Sequence, residues 1–314
     1  MKIAVVIPAY NEEQTIQEVM RSFHREIPDA EIVVVDNNSS DATGDKAAAA
    51  FAEGPIPGRL LDCGRKGKAN AVRTGLSAMN ADVCVLVDAD STYHAEDVHA
   101  LIRPIAEGAA DMVVGDRLSG GDYFRENTRN FHGFGNKLVR RIINFIFRSR
   151  LNDIMTGYRA FSRSFVENYP ILVEGFELET DMTLHALDKK FRIREVPVRY
   201  TDRPRGSTSK LNTFRDGAHV LATIFNIFKN YRPFAFFGLW SALFFLLSLA
   251  AGAPVIAEFI RTNYVAHIPL AILSTGLMIV SLLSFSIGLI LDTVVRNHRF
   301  EYELKLLQSK RASH

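Results

Sequence analysis

Two carboxylates, Asp88 and Asp90, directly follow a run of five apolar residues, Val83 to Val87. A short continuous apolar run is typical of a strand that is buried on both faces of a parallel sheet. Because burying an unpaired charge is costly, we expect both aspartates where the strand leaves the sheet. Carboxylates in this position can hold a hard divalent cation together with a sugar-nucleotide diphosphate. The alternative is an acidic turn without a ligand, which is the commoner meaning of an isolated Asp-x-Asp pattern.

Other apolar stretches in the first half of the chain predict further strands, and helix-length segments separate them. These strands are predicted over 2–7, 31–36, near 60–62 and over 111–117. Strands that alternate with helices of about ten or more residues indicate an α/β fold with a doubly wound, mostly parallel sheet. In such a sheet the carboxyl ends of the strands form one edge, and ligands bind there.

Polar side chains follow the first two predicted strands and are therefore expected at the same edge as Asp88. Tyr10 and Glu12 come after the first strand, and Asp36 ends the second. The Asp36 carboxylate can accept a hydrogen bond from the ring N–H of uracil or guanine, while Tyr10 stacks on the base and Glu12 holds it. Alternatively, Asp36 only caps the following turn. Asn11 is expected to cap the helix that comes after the first strand.

Composition excludes several classes of protein. With 314 residues, 47% hydrophobic and 23% charged, the chain is long enough for a catalytic domain and more, and it is not disordered. Its net charge of +2 gives no reason to expect a nucleic-acid partner. Two cysteines, Cys63 and Cys84, cannot build a disulfide scaffold, which fits a cytosolic location for the soluble part. The glycine-rich signatures of dinucleotide-binding folds and Walker loops are both absent from the sequence.

Two long apolar segments, 234–260 and 265–291, follow the α/β part of the chain. Each exceeds the roughly 20 residues that span a hydrocarbon core, so we predict two transmembrane helices, with two buried core helices as the alternative. Basic residues flank the pair on both sides and the connecting loop carries only Arg261, which predicts that both ends are cytoplasmic. Basic amphipathic stretches at 136–150 and 214–231 are expected to lie in the headgroup plane, the second alternatively packing on the domain itself.

The expected organisation therefore has four parts. They are a cytosolic catalytic domain over 1–211, a juxtamembrane amphipathic helix over 212–232, two transmembrane helices over 233–292 and a basic cytoplasmic tail over 293–314. We expect a multi-pass protein of the cell inner membrane, with the lipid bilayer as one of its partners.

Seven motifs in order along essentially the whole chain resemble those of family-2 glycosyltransferases with the GT-A fold. In particular they resemble the subgroup that glycosylates polyprenyl phosphates, which includes dolichyl-phosphate mannose synthase and the bacterial GtrB-type enzymes. The motifs are Pro8 to Glu12, Val35 to Asp41, Gly67 to Ala71, Asp88 to Asp90, Thr156 to Arg159, Glu195 to Tyr200 and Arg203 to Leu211.

This resemblance implies an inverting, metal-dependent enzyme that moves a hexose from a nucleotide sugar, expected to be UDP-linked, to a polyprenyl phosphate on the cytoplasmic leaflet. The acceptor would be undecaprenyl or dolichyl phosphate, the cofactor Mg²⁺ or Mn²⁺, and the assembly a homo-oligomer such as a tetramer. Two alternatives stay open. One is a processive membrane polysaccharide synthase, and the other is a non-catalytic membrane scaffold with a degenerate nucleotide domain.

The resemblance also implies roles for individual residues, with Asp88 and Asp90 as the metal ligands. A lipid phosphate is already anionic near neutral pH, so its site needs cations rather than a strong base. The expected catalytic residues are Asp88, Asp90, Arg117, Arg203 and Lys210. The expected nucleotide-binding residues are Pro8, Tyr10, Glu12, Asp36, Lys68, Asp88 and Ala89. The residues expected around the acceptor phosphate are Arg117, Arg129, Arg203, Ser209 and Lys210.

Two other groups of ionisable residues carry weaker signals. Glu177, Glu179 and Asp181 alternate along the sequence, and they either hold a sugar hydroxyl or the metal or stabilise the start of a helix. The histidines at positions 94, 132 and 185 lack metal-ligand spacing, so we interpret them as structural.

Overall fold

A computed structural model describes residues 1–119, 130–171, 173, 178–201 and 225–312 of the chain. It divides into two compact units, Met1–Thr213 and Phe214–His314. Within α-helices at 130–134, 136 and 309–312 only the backbone is described.

The first unit is built on one sheet of seven strands in the order β3-β2-β1-β4-β6-β5-β7. All neighbouring strands are parallel except β6, which is antiparallel to both β4 and β5. The predicted α/β fold with a mostly parallel sheet is therefore confirmed. The strands are β1 (Ile3–Ala9), β2 (Glu31–Asp36), β3 (Gly58–Asp62), β4 (Val83–Leu86), β5 (Met112–Asp116), β6 (Arg159–Ser162) and β7 (Ile193–Pro197).

Helices cover both faces of this sheet. Successive residues of β1 alternate between two apolar cores, with Val5 and Ile7 in one and Ala4 and Val6 in the other. This double burial explains why β1 and β4 are continuous apolar runs rather than alternating ones. The helices are α1 (Ile16–Glu26), α2 (Thr43–Glu53), α3 (Lys68–Ser77), a 3₁₀ turn (Ala95–Asp97), α4 (Val98–Ala106), α5 (Asn130–Phe147), α6 (Arg163–Asn168) and α7 (Leu178–Asp188).

Helix α5 begins earlier and ends earlier than the predicted segment 136–150. Val139, Ile143 and Ile146 lie on one helical face and are 0–5% exposed within the first unit, whereas Phe145 is 80% exposed on another face. Most of its apolar stripe is therefore buried. Contact of the exposed face with lipid headgroups stays a prediction.

The second unit is helical. A segment over 225–231 is followed by α8 (Pro233–Thr262) and α9 (Ile268–Ala312). Both long helices are apolar enough to cross a membrane, and only 11% of the most apolar window of each is buried. A buried core helix would hide this surface, so the exposure favours lipid contact over the alternative of core helices. Helix α9 continues without a break through most of the predicted basic tail.

Two pairs of serines join α8 to α9. The hydroxyls of Ser241 and Ser281 each donate to the other's backbone carbonyl at 2.9 Å. Ser248 and Ser274 repeat this exchange at 2.8 and 2.9 Å. Gly252 lies against the second pair, since a β-carbon there would be 2.6 Å from the Ser274 hydroxyl. Small and hydroxyl-bearing residues at a helix contact allow close approach and interhelical hydrogen bonds in an apolar medium.

Candidate active site

Asp88 and Asp90 lie in the turn that follows β4, at the carboxyl edge of the parallel strands. Asp90 is 6% exposed, and its Oδ1 accepts hydrogen bonds from the backbone N–H of Thr92 at 3.2 Å and from the Thr92 hydroxyl at 2.6 Å. Between the two acids, the carbonyl of Ala89 accepts a hydrogen bond of 2.6 Å from the Thr15 hydroxyl. The protein itself therefore fixes the conformation of this acidic turn.

Lys68, at the start of α3, bridges two carboxylates. Its Nζ lies 2.6 Å from Asp88 Oδ1 and 2.6 Å from Glu179 Oε1 in the first turn of α7. The Lys68 side chain is 19% exposed, that of Asp88 25% and that of Glu179 8%. Burial alone would lower the pKa of Lys68, but the charges and hydrogen bonds of the two carboxylates raise it well above its usual value. The ammonium group is therefore charged throughout the physiological pH range.

Gly157 closes the other side of Asp88. A β-carbon at Gly157 would lie 2.3 Å from Asp88 Oδ2, so only glycine fits beside the carboxylate. The Gly157 N–H donates to the Tyr93 hydroxyl at 3.0 Å, and Tyr93 also contacts the Thr156 hydroxyl at 3.2 Å. Burial raises the pKa of Tyr93, so the phenol stays protonated. Tyr93 was not among the predicted site residues, although it comes three residues after Asp90.

Arg159, which opens β6, is a fully buried arginine at 0% exposure. Its guanidinium donates to the carbonyls of Ile154 at 2.7 Å and Thr156 at 3.0 Å, and to the Thr183 hydroxyl at 2.9 Å. Thr183 in turn donates to the Glu179 carbonyl at 2.9 Å. Burial lowers the pKa of Arg159. Arg159 thus ties the segment before Gly157 to the helix that carries Glu179.

The loops after β1 and β2 lie side by side at the same edge. Asp36 Oδ1 accepts hydrogen bonds from the Ser39 hydroxyl and from the Ser39 N–H, the latter at 3.3 Å. Asp36 therefore makes the turn contact that was the alternative to base binding, and base binding stays a prediction. Tyr10, at 36% exposure, presents ring surface at this edge. Pro8 lies in β1, in register with Val35 of β2.

The prediction that Asn11 caps α1 is wrong. Helix α1 begins at Ile16, and Asn11 Oδ1 instead accepts the Ser40 N–H at 2.8 Å. The Glu12 N–H donates to the Thr43 hydroxyl at 2.8 Å, which adds a second link between the two loops. The loops predicted to hold the nucleotide thus form one connected surface.

Arg117 follows β5 and forms a two-pronged ion pair with Asp153. Its Nε lies 2.7 Å from Oδ2 and its Nη2 3.0 Å from Oδ1, and the guanidinium carbon is 5.4 Å from the centre of the Tyr200 ring. The Arg117 side chain is only 12% exposed. The backbone N–H of Asp153 donates a hydrogen bond of 2.8 Å to Glu195 Oε1, which holds Asp153 in place. A role of Arg117 at the acceptor phosphate stays a prediction.

Four predicted acceptor residues fall outside the described part of the chain, and so does Glu177. The last described residues before position 202 contact the segment after the acidic turn, because the Thr201 N–H donates to the Thr92 carbonyl at 3.0 Å and Tyr200 pairs with Tyr93. The acceptor residues outside the described ranges are Arg129, Arg203, Ser209 and Lys210.

Asp181 and His185 have contacts within the protein, whereas the side chain of His132 is outside the described part of the chain. Asp181 accepts a hydrogen bond of 2.7 Å from the Tyr169 hydroxyl. His185 packs against Phe165 and Tyr169, and burial, together with Lys189, lowers its pKa to about 4. The structural interpretation of His185 therefore agrees with its surroundings.

The acidic turn provides donors of the type that Mg²⁺ and Mn²⁺ prefer, which are carboxylate oxygens. Among the described residues, no group of three or more His, Cys, Asp or Glu side chains is arranged to hold a metal ion. A cation that takes most of its ligands from phosphates and water needs only one or two carboxylates. Asp88 and Asp90 fit a cation of that kind.

Comparison with known proteins identifies the family of this chain. The family model described as Glycosyl transferase family 2 matches residues 4–169, more than half of the chain. A dolichyl-phosphate hexose transferase of Haloferax volcanii is 30% identical over 227 residues, which are 72% of this chain and 93% of that protein. The glycosyltransferase AglJ of the same organism is 28% identical over 298 residues, 95% of each chain.

Similarity extends to a bacterial enzyme and to a solved structure. An undecaprenyl-phosphate mannosyltransferase of Micrococcus luteus is 29% identical over 216 residues, covering 66% of this chain and 87% of that one. The crystal structure of glucosyl-3-phosphoglycerate synthase from Mycobacterium tuberculosis with Mn²⁺ and UDP-glucose has a TM-score of 0.55 at 24% identity, covering 73% and 78% of the two chains. That structural likeness concerns the fold. The chain belongs to glycosyltransferase family 2 and is a glycosyltransferase.

Proposed function

We propose that this enzyme transfers a hexose from a nucleotide sugar to a polyprenyl phosphate at the cytoplasmic face of a membrane, with inversion at the anomeric carbon. The observation that carries the proposal is the turn after β4, where Asp88 and Asp90 lie at the carboxyl edge of the sheet beside the charged Lys68. Ligands of open α/β sheets bind at this edge. The names of the relatives from Haloferax and Micrococcus support the choice of a polyprenyl phosphate as acceptor.

The second unit supports a lipid acceptor. Its two long helices expose their apolar surface, as helices surrounded by lipid do. Basic residues precede α8 and follow the apolar part of α9, and positive charge near membrane spans favours the cytoplasmic side. These basic residues are Lys229, Arg232, Arg296, Arg299 and Lys305.

The reaction requires the protein to position the acceptor phosphate and the nucleotide sugar, and it does not require a strong base. A phosphate oxygen of the acceptor attacks the anomeric carbon as the bond from that carbon to the diphosphate oxygen breaks. The electron pair leaves with the nucleoside diphosphate, and the configuration inverts. Because the lipid phosphate is already ionised near neutral pH, no proton has to be removed from it.

The residues of the acidic turn would hold the donor in position for this attack. Asp88 and Asp90 would hold a divalent cation, which when bound stabilises the charge that develops on the diphosphate. Lys68 holds the Asp88 carboxylate in place through a contact of 2.6 Å. Tyr10 and Asp36 would hold the base at the neighbouring strand ends, and Arg117 with the segment after Thr201 would face the acceptor phosphate. Two neighbouring anions repel strongly in a partly desolvated site, so cations between them are needed.

The test is an assay of the full chain, purified in detergent, with separate UDP- and GDP-sugars and with undecaprenyl or dolichyl phosphate. We expect one donor to yield a lipid carrying a single hexose, identified by mass spectrometry, and the product should require Mg²⁺ or Mn²⁺. The Asp90→Ala variant should lose this product by about two orders of magnitude or more.

Asp29→Ala is the matched control, because Asp29 is an exposed acid between α1 and β2, remote from the acidic turn. Its activity should equal that of the parent protein. A product with many sugars would instead show a processive synthase. The absence of turnover with every donor and both lipids would contradict the proposal.

A further inference from the structure

Arg159 is one of the largest fully buried side chains in the described part of the chain, and the proposed transfer reaction makes no use of it. Its hydrogen-bond partners among the described residues are all uncharged, namely two backbone carbonyls, one hydroxyl and the Met112 sulfur. Burial lowers the pKa of Arg159, and the charges of Glu179 and Asp153 oppose this effect only in part. Because burying a charge in this way is costly, we expect Arg159 to have a role that an apolar side chain could not fill.

The guanidinium of Arg159 joins two separate elements of the fold. Its Nε and Nη2 donate to the carbonyls of Thr156 and Ile154, and its Nη1 donates to the Thr183 hydroxyl of α7 at 2.9 Å. A guanidinium has five N–H donors in one rigid plane, an arrangement that neither a lysine nor an apolar side chain reproduces. Arg159 therefore fixes the position of the segment before Gly157 relative to α7.

Both of these elements act on the Asp88 carboxylate. Gly157 lies against Oδ2, where a β-carbon would be only 2.3 Å away. Helix α7 acts on Oδ1 through Glu179, because Lys68 Nζ lies 2.6 Å from Asp88 Oδ1 and 2.6 Å from Glu179 Oε1. The two oxygens of Asp88 are therefore held by two elements that Arg159 joins.

These contacts close into a ring, which we call the contact ring. Its closing link lies within α7, where the Thr183 hydroxyl donates to the Glu179 carbonyl one turn earlier at 2.9 Å. Arg159 and Thr183 are both 0% exposed, so water does not compete for their hydrogen bond. In order around the contact ring, the residues are Asp88, Gly157, Thr156, Arg159, Thr183, Glu179 and Lys68.

We propose that Arg159 and Thr183 are positioning residues for sugar transfer, which hold the Asp88 carboxylate in its orientation through the contact ring. The proposal rests on the proposed function in one respect, which is that Asp88 takes part in transfer. Arg159 acts on the carboxylate from two sides, through Gly157 and through Lys68. Breaking the ring at Thr183 lets these two neighbours move independently of each other. A displacement of about 1 Å at a reacting group can lower a rate by about a hundredfold.

Amide hydrogen exchange of the full chain in detergent tests whether the ring couples its two elements. Thr183→Val keeps the size of the side chain but removes the hydroxyl, so exchange over 153–158 should become about tenfold faster, although Thr183 lies in α7. Thr183→Ser keeps the hydroxyl and should exchange nearly like the parent protein. Thr180→Val is the matched control, since Thr180 is another buried threonine of α7, at 5% exposure, and is outside the ring. Faster exchange that is confined to α7, or equal effects of the Val and Ser variants at position 183, would overturn the proposal.

Steady-state kinetics then test the role in transfer. Thr183→Val should lower kcat about tenfold, with little change in the KM for the lipid phosphate, which Asp88 is not proposed to contact. In the Lys68→Met background the ring is already open, so adding Thr183→Val should lower kcat by less than about twofold. Independent losses in the double variant, or a parental kcat in Thr183→Val, would overturn the proposal. An inactive parent protein would instead contradict the proposed function, whereas unchanged exchange in an active one would contradict the contact ring alone.

Discussion

Gly157 and Asp88 are in such close contact that the backbone of one limits the position of the other. A β-carbon on Gly157 would come within 2.3 Å of Asp88 Oδ2 and 3.0 Å of Oδ1. The carboxylate is meanwhile held from the other side by Lys68. Asp88 therefore has little freedom to move without disturbing both neighbours, and its orientation does not depend on a ligand.

Gly157→Ala should lower the transfer rate by about a hundredfold, because the new methyl group displaces the Asp88 carboxylate by a large fraction of an ångström or more. The measurement is kcat with saturating donor and acceptor, together with the free energy of unfolding. Gly44→Ala is a suitable control, since a β-carbon there lies at an ordinary 3.7 Å from Asp36. A Gly157→Ala enzyme with parental kcat would show that the position of Asp88 is not critical.

Lys68→Met should destabilise the first unit by about 3 kcal/mol near pH 8, because two partly buried carboxylates lose their shared counter-ion. In the parent protein the raised pKa of Lys68 means that its stabilising charge is fully present below the usual lysine range and is lost only as the pH rises through the folded-state pKa, above that range. In the variant, Asp88 and Glu179 lack that charge at every pH at which the parent protein carries it.

The loss of stability in Lys68→Met should consequently be similar at pH 6 and pH 8, because Lys68 of the parent protein stays charged across that interval, and denaturant unfolding at both values measures it. Lys66→Met, an exposed lysine in the same loop, should show little loss at either pH. A Lys68→Met protein that is as stable as the parent protein would show that the bridge contributes little to stability.

Arg117→Lys should raise the KM for the lipid phosphate at least about tenfold, because a lysine cannot reproduce the two-pronged pairing with Asp153 that fixes the position of this positive charge. Donor affinity, measured calorimetrically without lipid, should change little. Arg150→Lys, an exposed arginine at the end of the α5 region, is the control for a simple change of surface side chain. A parallel loss of donor affinity would place Arg117 at the diphosphate instead of the acceptor.

Arg203→Ala and Lys210→Ala concern residues outside the described part of the chain. Each should lower transfer by about two orders of magnitude or more if these cations separate the acceptor phosphate from the donor diphosphate. Donor binding should fall much less, since the interaction would be strongest in the transition state. If donor affinity and lipid-independent hydrolysis fall together, these residues hold the donor, and the proposed clamp is wrong.

The membrane topology predicts opposite accessibility for the two ends of α9. A cysteine at Tyr264, in the loop between the long helices, should react with a membrane-impermeant maleimide applied from outside the cell. A cysteine at Lys305 should react only after the membrane is opened. The parent protein is the control, because Cys63 and Cys84 are buried. Labelling of both positions from one side would exclude a hairpin of two spans.

Much of the sheet was predictable because its central parallel strands are continuous apolar runs. β1, β2 and β4 lie next to one another, so the residues after them meet at one edge as predicted. β6 and β7 were not predicted as strands. β6 has only four residues and opens with the buried Arg159, a residue that would argue against a central strand in any sequence pattern. Its antiparallel insertion between β4 and β5 is a long-range arrangement that no local signal encodes.

The site was predictable in its types of residue but not in its contacts. Asp88 and Asp90 were identified from the strand that precedes them, and Lys68 from the resemblance to family-2 glycosyltransferases. Its bridge to Glu179 joins positions 111 residues apart, and such a pairing depends on the completed fold. For the same reason, the sequence placed Arg117 near a phosphate and could not reveal its ion pair with Asp153. In the sequence, Gly157 of the Thr-Gly-Tyr-Arg motif could have indicated that the backbone closely approaches the Asp88 carboxylate.

The serine pairs between α8 and α9 also limit how the two helices can slide. Ser241 and Ser248 are seven residues apart, and so are Ser274 and Ser281, which makes the present register the one that satisfies both pairs. The next alignment that restores even one pair is displaced by seven residues, about 10 Å along the helix axis. The register of α8 against α9 is therefore fixed. If α9 spans a membrane, the depth at which it leaves the bilayer therefore also sets the depth of Pro233 at the start of α8.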